Sequence, residues 1–222
     1  MGHMQEGLPA REHFSPVALI SHRTPDDRHR VGAPAAYRGR MAWQTLASRT
    51  VYENRWIRVR EDDVIGPGGT GIYGVVEMRH PAVFVVAVDE SDRVCLVRLD
   101  RYCTGGSSLE VPAGGTDGED PLVAAQRELR EETGMIADEW LEVGRMNALN
   151  GIADAPEHVF LARRLSSETG DLTSEAQREE GIEAVEWMPF PALVQLIGRG
   201  EMSDGESIAA IALAAVHLGR FA

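Results

Sequence analysis

The sequence predicts an α+β fold, in which a small antiparallel sheet precedes a mixed sheet flanked by helices. Three observations carry that prediction. Between Trp43 and His80 the pattern is strand-like, interrupted by the turn-forming stretch PGGTG. The run AVFVVAVD, from Ala82 to Asp89, is almost continuously apolar, as in a strand covered on both faces. Beyond it, segments with helix signals alternate with segments of strand character.

Taken in order, residues 1–40 mix Pro, Gly, Arg and His without a period and read as a poorly ordered or strap-like arm. Residues 41–80 hold the strands WQTLASRTVYEN, WIRVREDDVIG and IYGVVEMRH, a β-sheet unit of their own. Residues 81–222 form the main domain. There AVFVVAVD pairs with RVCLVRLD through a turn around ESD. A helix follows between two clear signals: Asp120 as N-cap with Pro121 in the first turn, and Gly134 as left-handed cap. At about 100° per residue, Leu122, Ala125, Gln126, Leu129 and Thr133 share its predicted buried side. Strands are expected at EVGRMNAL, HVFLARRL and EAVEWMPF, and helices at about Pro191 to Gly198 and Glu206 to Leu218.

Composition narrows the function. The chain has 222 residues, 43% of them hydrophobic, enough for a real core. Its formal net charge is −13, which argues against nucleic-acid and membrane-surface partners, since both reward Lys and Arg. All 22 basic residues are Arg, which excludes both a P-loop lysine and a Schiff-base lysine. Cys95 and Cys103 match no metal-ligand spacing and no disulfide framework. With no signal-like leader and no membrane-length apolar run, a cytoplasmic protein is expected.

The helix from Pro121 carries an anomaly. Glu128, Glu131 and Glu132 crowd its last turns, where the backbone dipole disfavours negative charge. Like charges four residues apart also destabilise a helix, and Arg127 with Glu131 is the weaker orientation of an ion pair. A solvated acidic face would gain nothing from this arrangement. A divalent cation explains it, because Mg²⁺ prefers carboxylate oxygens together with waters and substrate phosphates.

The same stretch resembles the box of the Nudix hydrolase superfamily, Gly-x5-Glu-x7-Arg-Glu-U-x-Glu-Glu-x-Gly-U, with U aliphatic. Glu119, then Arg127-Glu128-Leu129-Arg130-Glu131-Glu132-Thr133-Gly134-Met135, fits the larger part without a mismatch. The departure is at the start, where Ala113 stands at the expected glycine and Gly114 follows, one residue nearer to Glu119. LEVPAGG, GIADAPEHVFLA, EGIEAVEWMPF and GEMSDGESIAAIALA look like segments of the ADP-ribose pyrophosphatase branch, so the likeness runs from about Trp43 to the C-terminus.

The resemblance implies a Nudix α/β/α sandwich with a mixed sheet, and Mg²⁺ or Mn²⁺ as cofactor. It implies metal binding by Glu128, Glu132, the neighbouring Glu131 and the carbonyl of Ala113. Catalytic roles fall to Glu131, Glu132 and a loop glutamate, with Glu180 preferred over Glu179 and Glu183. Arg101 and Gly114 are candidates for substrate contact, with Arg101 equally able to pair with Asp100 or Glu110. Arg127, Glu119 and Gly134 would support the site. The implied reaction is hydrolysis of a phosphoanhydride in a nucleoside diphosphate-linked small molecule, ADP-ribose first. A nucleotide-sugar such as GDP-mannose is the alternative, because Asn150 stands where the ADP-ribose branch has Pro. A non-catalytic nucleotide-binding regulator is the alternative of another class. The branch commonly pairs through its N-terminal sheet, and Trp43, Tyr52 and Trp56 here favour a homodimer.

Overall fold

The computed structural model describes residues 43–167, 177–178 and 180–220. The predicted arm, residues 1–40, and Glu179 lie outside the described residues. Strands β1 (Gln44–Glu53), β2 (Ile57–Gly66) and β3 (Gly69–Met78) form an antiparallel meander. The strands run closer to the turn than the sequence predicts, with Gly69 adopting a φ of 107° that favours glycine. A fourth strand, β9 (Ala153–Asp154), adds in parallel to β3, so this sheet is tied directly to the main domain. Tyr73 reinforces the join by donating its hydroxyl to the Gly151 carbonyl at 2.5 Å.

The central sheet has the order β7-β4-β10-β8, from β4 (Ala82–Ala87), β7 (Ala113–Gly115), β8 (Met135–Asn147) and β10 (Pro156–Ser167). It is mixed: β10 runs parallel to β4 and antiparallel to β8. β4 is buried on both faces, as its apolar run predicts. Val83, Val85 and Ala87 face one core with Ala124, Ala125 and Leu129 of helix α1 (Pro121–Thr133). Phe84 and Val86 face a second core with Ala210, Ile211 and Ala214 of helix α3 (Gly205–His217). Strands β5 (Arg93–Arg101), β6 (Gly106–Glu110) and β11 (Ile182–Pro189) make a third sheet, and helix α2 (Phe190–Gly198) follows β11.

Two sequence expectations need correction. Strand β8 starts at Met135, directly after the helix cap, and not at Glu142. It borders the sheet, and its exposed Asp138 and Glu139 give it weak apolar alternation. The buried face of α1 is also rotated from the predicted one: Gln126 is exposed, while Ala124, Glu128 and Glu132 are buried beside Ala125 and Leu129. Apolarity alone misplaces that face because two of its buried residues are carboxylates.

Candidate active site

Helix α1 has the ends that the sequence marks. Asp120 accepts from the Leu122 N–H at 2.9 Å, and Gly134 closes the helix in the left-handed region at φ 71°. Ala124, Ala125 and Leu129 are fully buried and fix the rotation of the helix on the sheet. Burial of a side chain such as Leu129 is worth about 1.5–3 kcal/mol. That rotation carries Glu128 and Glu132 inward, where they are 4% and 3% exposed.

Glu128, Glu132 and Glu180 each bring a carboxylate oxygen within 4.8 Å of the others, although Glu180 itself is exposed. Few groups offset this charge. The Ala113 N–H donates to Glu132 Oε2 at 3.0 Å, and Arg127 donates to Glu128 Oε1 at 2.7 Å. Burial pushes the Glu132 carboxyl up to about 9, with Glu128 and Glu180 adding to the shift. Burial likewise pushes Glu128 up to about 7, against the pull of Arg127. Sinking two carboxylates this close together is unfavourable unless a cation or protons join them. The all-oxygen donor set fits a hard divalent cation.

Arg127 organises the surroundings. It reaches Glu119 at 3.0 Å, the Gly115 carbonyl at 2.9 Å and Glu131 at 3.3 Å, as well as Glu128. Glu131 therefore turns to Arg127 and is not among the three clustered carboxylates. Glu119 ties the loop before the helix to the same guanidinium. Glu183 lies on β11, where its charge acts on Arg98. Gln177 donates to the Glu132 carbonyl at 2.7 Å and so lies against the end of α1.

Gly114 has a steric duty. A Cβ there would lie 2.1 Å from Glu128 Oε1, so any larger residue would displace the Glu128 carboxylate from its place against β7. The shortened loop of the sequence thus still sets a glycine against the acidic helix. Beside it opens a cleft of about 390 Å³, lined by Arg101, Ser108, Ala113, Gly114, Asp204 and Glu206 among others. Arg101 is held by Glu110 in a two-pronged ion pair at 2.9 and 2.5 Å, one of its two foreseen partnerships. Sequence reasoning missed Asp204 and Glu206. Asp204 caps α3 by accepting from Ser207 N–H at 2.8 Å, and Ser207 Oγ accepts from Val111 N–H at 3.0 Å. The Asp-x-x-Ser capping signal was available; the cleft beside it was not.

A mixed sheet between helices, with an acidic helix facing a glycine-bearing strand and a cleft, defines a Nudix-type fold and site. The NUDIX domain family matches residues 78–211, and the nucleoside diphosphate sugar hydrolase N-terminal domain matches residues 43–76. The chain belongs to the Nudix family and is a Nudix hydrolase. It is 33% identical to an ADP-ribose pyrophosphatase of Mycobacterium tuberculosis, covering 79% of this chain and 83% of that one. It is 31% identical to an ADP-ribose pyrophosphatase of Bacillus subtilis, covering 76% and 90%. A crystal structure of an ADP compounds hydrolase superposes with a TM-score of 0.68 at 22% identity, over 80% of this chain and 94% of the other.

Proposed function

We propose that the protein hydrolyses ADP-ribose to AMP and ribose 5-phosphate, with Mg²⁺ or Mn²⁺ as its cofactor. The observation that carries this reading is the buried pair Glu128 and Glu132, joined by the exposed Glu180. These three would hold the cation, with the Ala113 carbonyl as a further donor. Bound there, the cation would offset charge on the bridging phosphates and make a water more acidic. The oxygen of water adds to one phosphorus, the anhydride P–O bond breaks, and the proton released passes to a carboxylate. Glu180, exposed and unhindered by an ion pair with Arg127, is assigned that role. Arg127 keeps Glu128 and Glu131 in place, and Arg101 presents a cationic edge to a phosphate at the mouth of the cleft.

The expected result is Mg²⁺-dependent appearance of AMP from ADP-ribose, measured by chromatography beside GDP-mannose and other nucleoside diphosphate derivatives. Faster cleavage of GDP-mannose would move the substrate to the nucleotide-sugars. Absence of cation-dependent cleavage across the panel would return the chain to a ligand-binding, regulatory role.

The same reading includes a cytoplasmic homodimer. No helix among the described residues is long and apolar enough to cross a membrane. Every residue of β1 is exposed, and Leu46, Val51, Tyr52, Trp56 and Ile72 all stand more than half open to solvent. This much exposed apolar surface on one sheet favours a second copy of the chain. Light scattering at micromolar concentration is expected to give twice the mass of the chain. A monomer mass overturns the dimer without touching the hydrolase assignment.

A further inference from the structure

Between β6 and β7 the chain leaves one sheet for another. Glu110 closes β6 opposite Val97 of the third sheet, and Ala113 opens β7 opposite Phe84 of the central sheet. Val111 and Pro112 lie between them, outside both strands and almost fully buried. Buried backbone groups need partners, and outside a ladder these must come from elsewhere. The Pro112 carbonyl accepts from the Val85 N–H at 2.8 Å, and Pro112 has no N–H to satisfy. The Val111 N–H donates to Ser207 Oγ at 3.0 Å, 96 residues further along the chain.

Ser207 stands out on the face of α3 that it occupies. Ala210, Ile211, Ala214 and Ala215 on that face are apolar and buried, and Ser207 itself is fully buried among them. Sinking a hydroxyl there is unfavourable unless it is hydrogen-bonded, and serine is also a weaker helix former than alanine. Its place is fixed from within the helix, since the Ser207 N–H donates to Asp204 Oδ2 at 2.8 Å in the N-cap of α3.

The hydroxyl holds a segment on which the acidic helix depends. Glu110 grips Arg101 at 2.9 and 2.5 Å. Ala113 donates its N–H to Glu132 Oε2 at 3.0 Å, and Gly114 leaves room for the Glu128 carboxylate. Val111 is next to Glu110 and two residues before Ala113, so a shift of its backbone moves both ends. The Val85 N–H anchors this crossing to the central sheet, and Ser207 anchors it to α3.

We propose that Ser207 is a positioning residue for the cation site: by holding the Val111 N–H, it sets the register at which Ala113 and Gly114 meet Glu128 and Glu132. The proposal rests on the reading of those carboxylates as ligands of a divalent cation, with the Ala113 carbonyl as a further donor. Ser207 touches neither cation nor substrate. It acts through the segment it holds, as the outer partners of metal sites do.

The test sets Mn²⁺ affinity, from calorimetric titration of metal-free protein, beside the melting temperature in chelator. Ser207→Ala leaves the buried N–H unpaired, and is expected to weaken Mn²⁺ binding about tenfold and to raise the Mg²⁺ concentration for half-maximal ADP-ribose hydrolysis by a similar factor. Ser207→Cys, close in size but only a weak acceptor, is expected to follow it, and carries the test if the alanine variant does not fold. Ile211→Val, one turn along the same face, removes a methyl group and no hydrogen bond. It should lower the melting temperature and leave Mn²⁺ affinity at the parent's value. A folded Ser207→Ala or Ser207→Cys variant that melts lower but binds Mn²⁺ as the parent does overturns the proposal. So does an Ile211→Val variant that loses as much affinity. A parent protein that binds Mn²⁺ and cleaves nothing refutes the hydrolase reading alone, and the affinity comparison still decides the role of Ser207. A parent protein that binds no Mn²⁺ refutes the cation reading itself, and leaves Ser207 no site to position.

Discussion

Replacing Glu132 by Gln is expected to reduce Mg²⁺-dependent hydrolysis about a hundredfold or more and to remove most of the thermal stabilisation that Mg²⁺ confers. The proposed assignment makes Glu132 a cation ligand, and its amide counterpart offers only a neutral oxygen in place of a charged one. A ligand that binds only the folded state raises stability by mass action, so losing the cation also loses that increment. The metal-free protein should respond in the opposite direction. There Glu132 is almost fully buried, close to Glu128 and Glu180, and sits in the last turn of α1 against the helix dipole. Glu132→Gln keeps the side-chain shape and an oxygen able to accept from the Ala113 N–H, while it removes the charge. The variant is therefore expected to melt at the parent's temperature or higher when both are measured in chelator. Scanning fluorimetry with and without Mg²⁺, together with the AMP assay, checks all three parts. A variant that keeps the Mg²⁺ increment and the parent's activity would return the acidic helix to a structural role.

The sequence carried the site unevenly, and the reasons are physical. The ends of α1 were legible because capping is local: Asp120, Pro121 and Gly134 each act on backbone groups within a few residues. The acidic crowding was legible because it violates local helix electrostatics. The direction in which those acids point was harder to read. A helix face is normally inferred from its apolar residues, and here Glu128 and Glu132 occupy that face beside Leu129. Tertiary partners distant in the chain were out of reach altogether. Nothing near Glu157 marks it as buried, since its surroundings come from β3, the Leu149–Ile152 turn and the start of α3. Gln177 reads as a loop residue until its amide is seen on the Glu132 carbonyl. Of the three loop glutamates, the resemblance favours Glu180 over Glu179 and Glu183. Glu180 is the one of the described pair that joins Glu128 and Glu132, while Glu183 lies on β11 outside that cluster.

Metal-free protein is expected to lose stability steadily as pH rises from about 6 to about 8.5, and Mg²⁺ is expected to oppose that loss more strongly at each step. Glu132 is pushed up to about 9 and Glu128 to about 7, both from an ordinary 4.5, chiefly by burial. Between the ordinary and the raised values the folded chain holds protons that the unfolded chain has released. Stability then falls with pH, since its slope follows the protons bound in the unfolded state minus those bound in the folded state. The contribution is complete below the ordinary value and is lost as pH climbs through the raised ones. A cation competes with those same protons, so its binding tightens as they leave. The gap between the melting curves in Mg²⁺ and in chelator should widen across the range. Carboxylates held below their ordinary value, such as Asp89 and Glu142, titrate in acid and leave this window undisturbed. Glu157, pushed up to about 7, and Glu206, also raised chiefly by burial, contribute with the same sign, so variants at separate sites are needed to isolate the share of Glu132. Glu132→Gln should flatten the chelator curve above pH 7 and close the gap. Glu157→Gln should flatten it mainly around neutrality and leave the gap open. A melting temperature in chelator that is constant or rising over this range would mean that Glu128 and Glu132 are charged and stable as they stand, and the argument that they await a cation would fail.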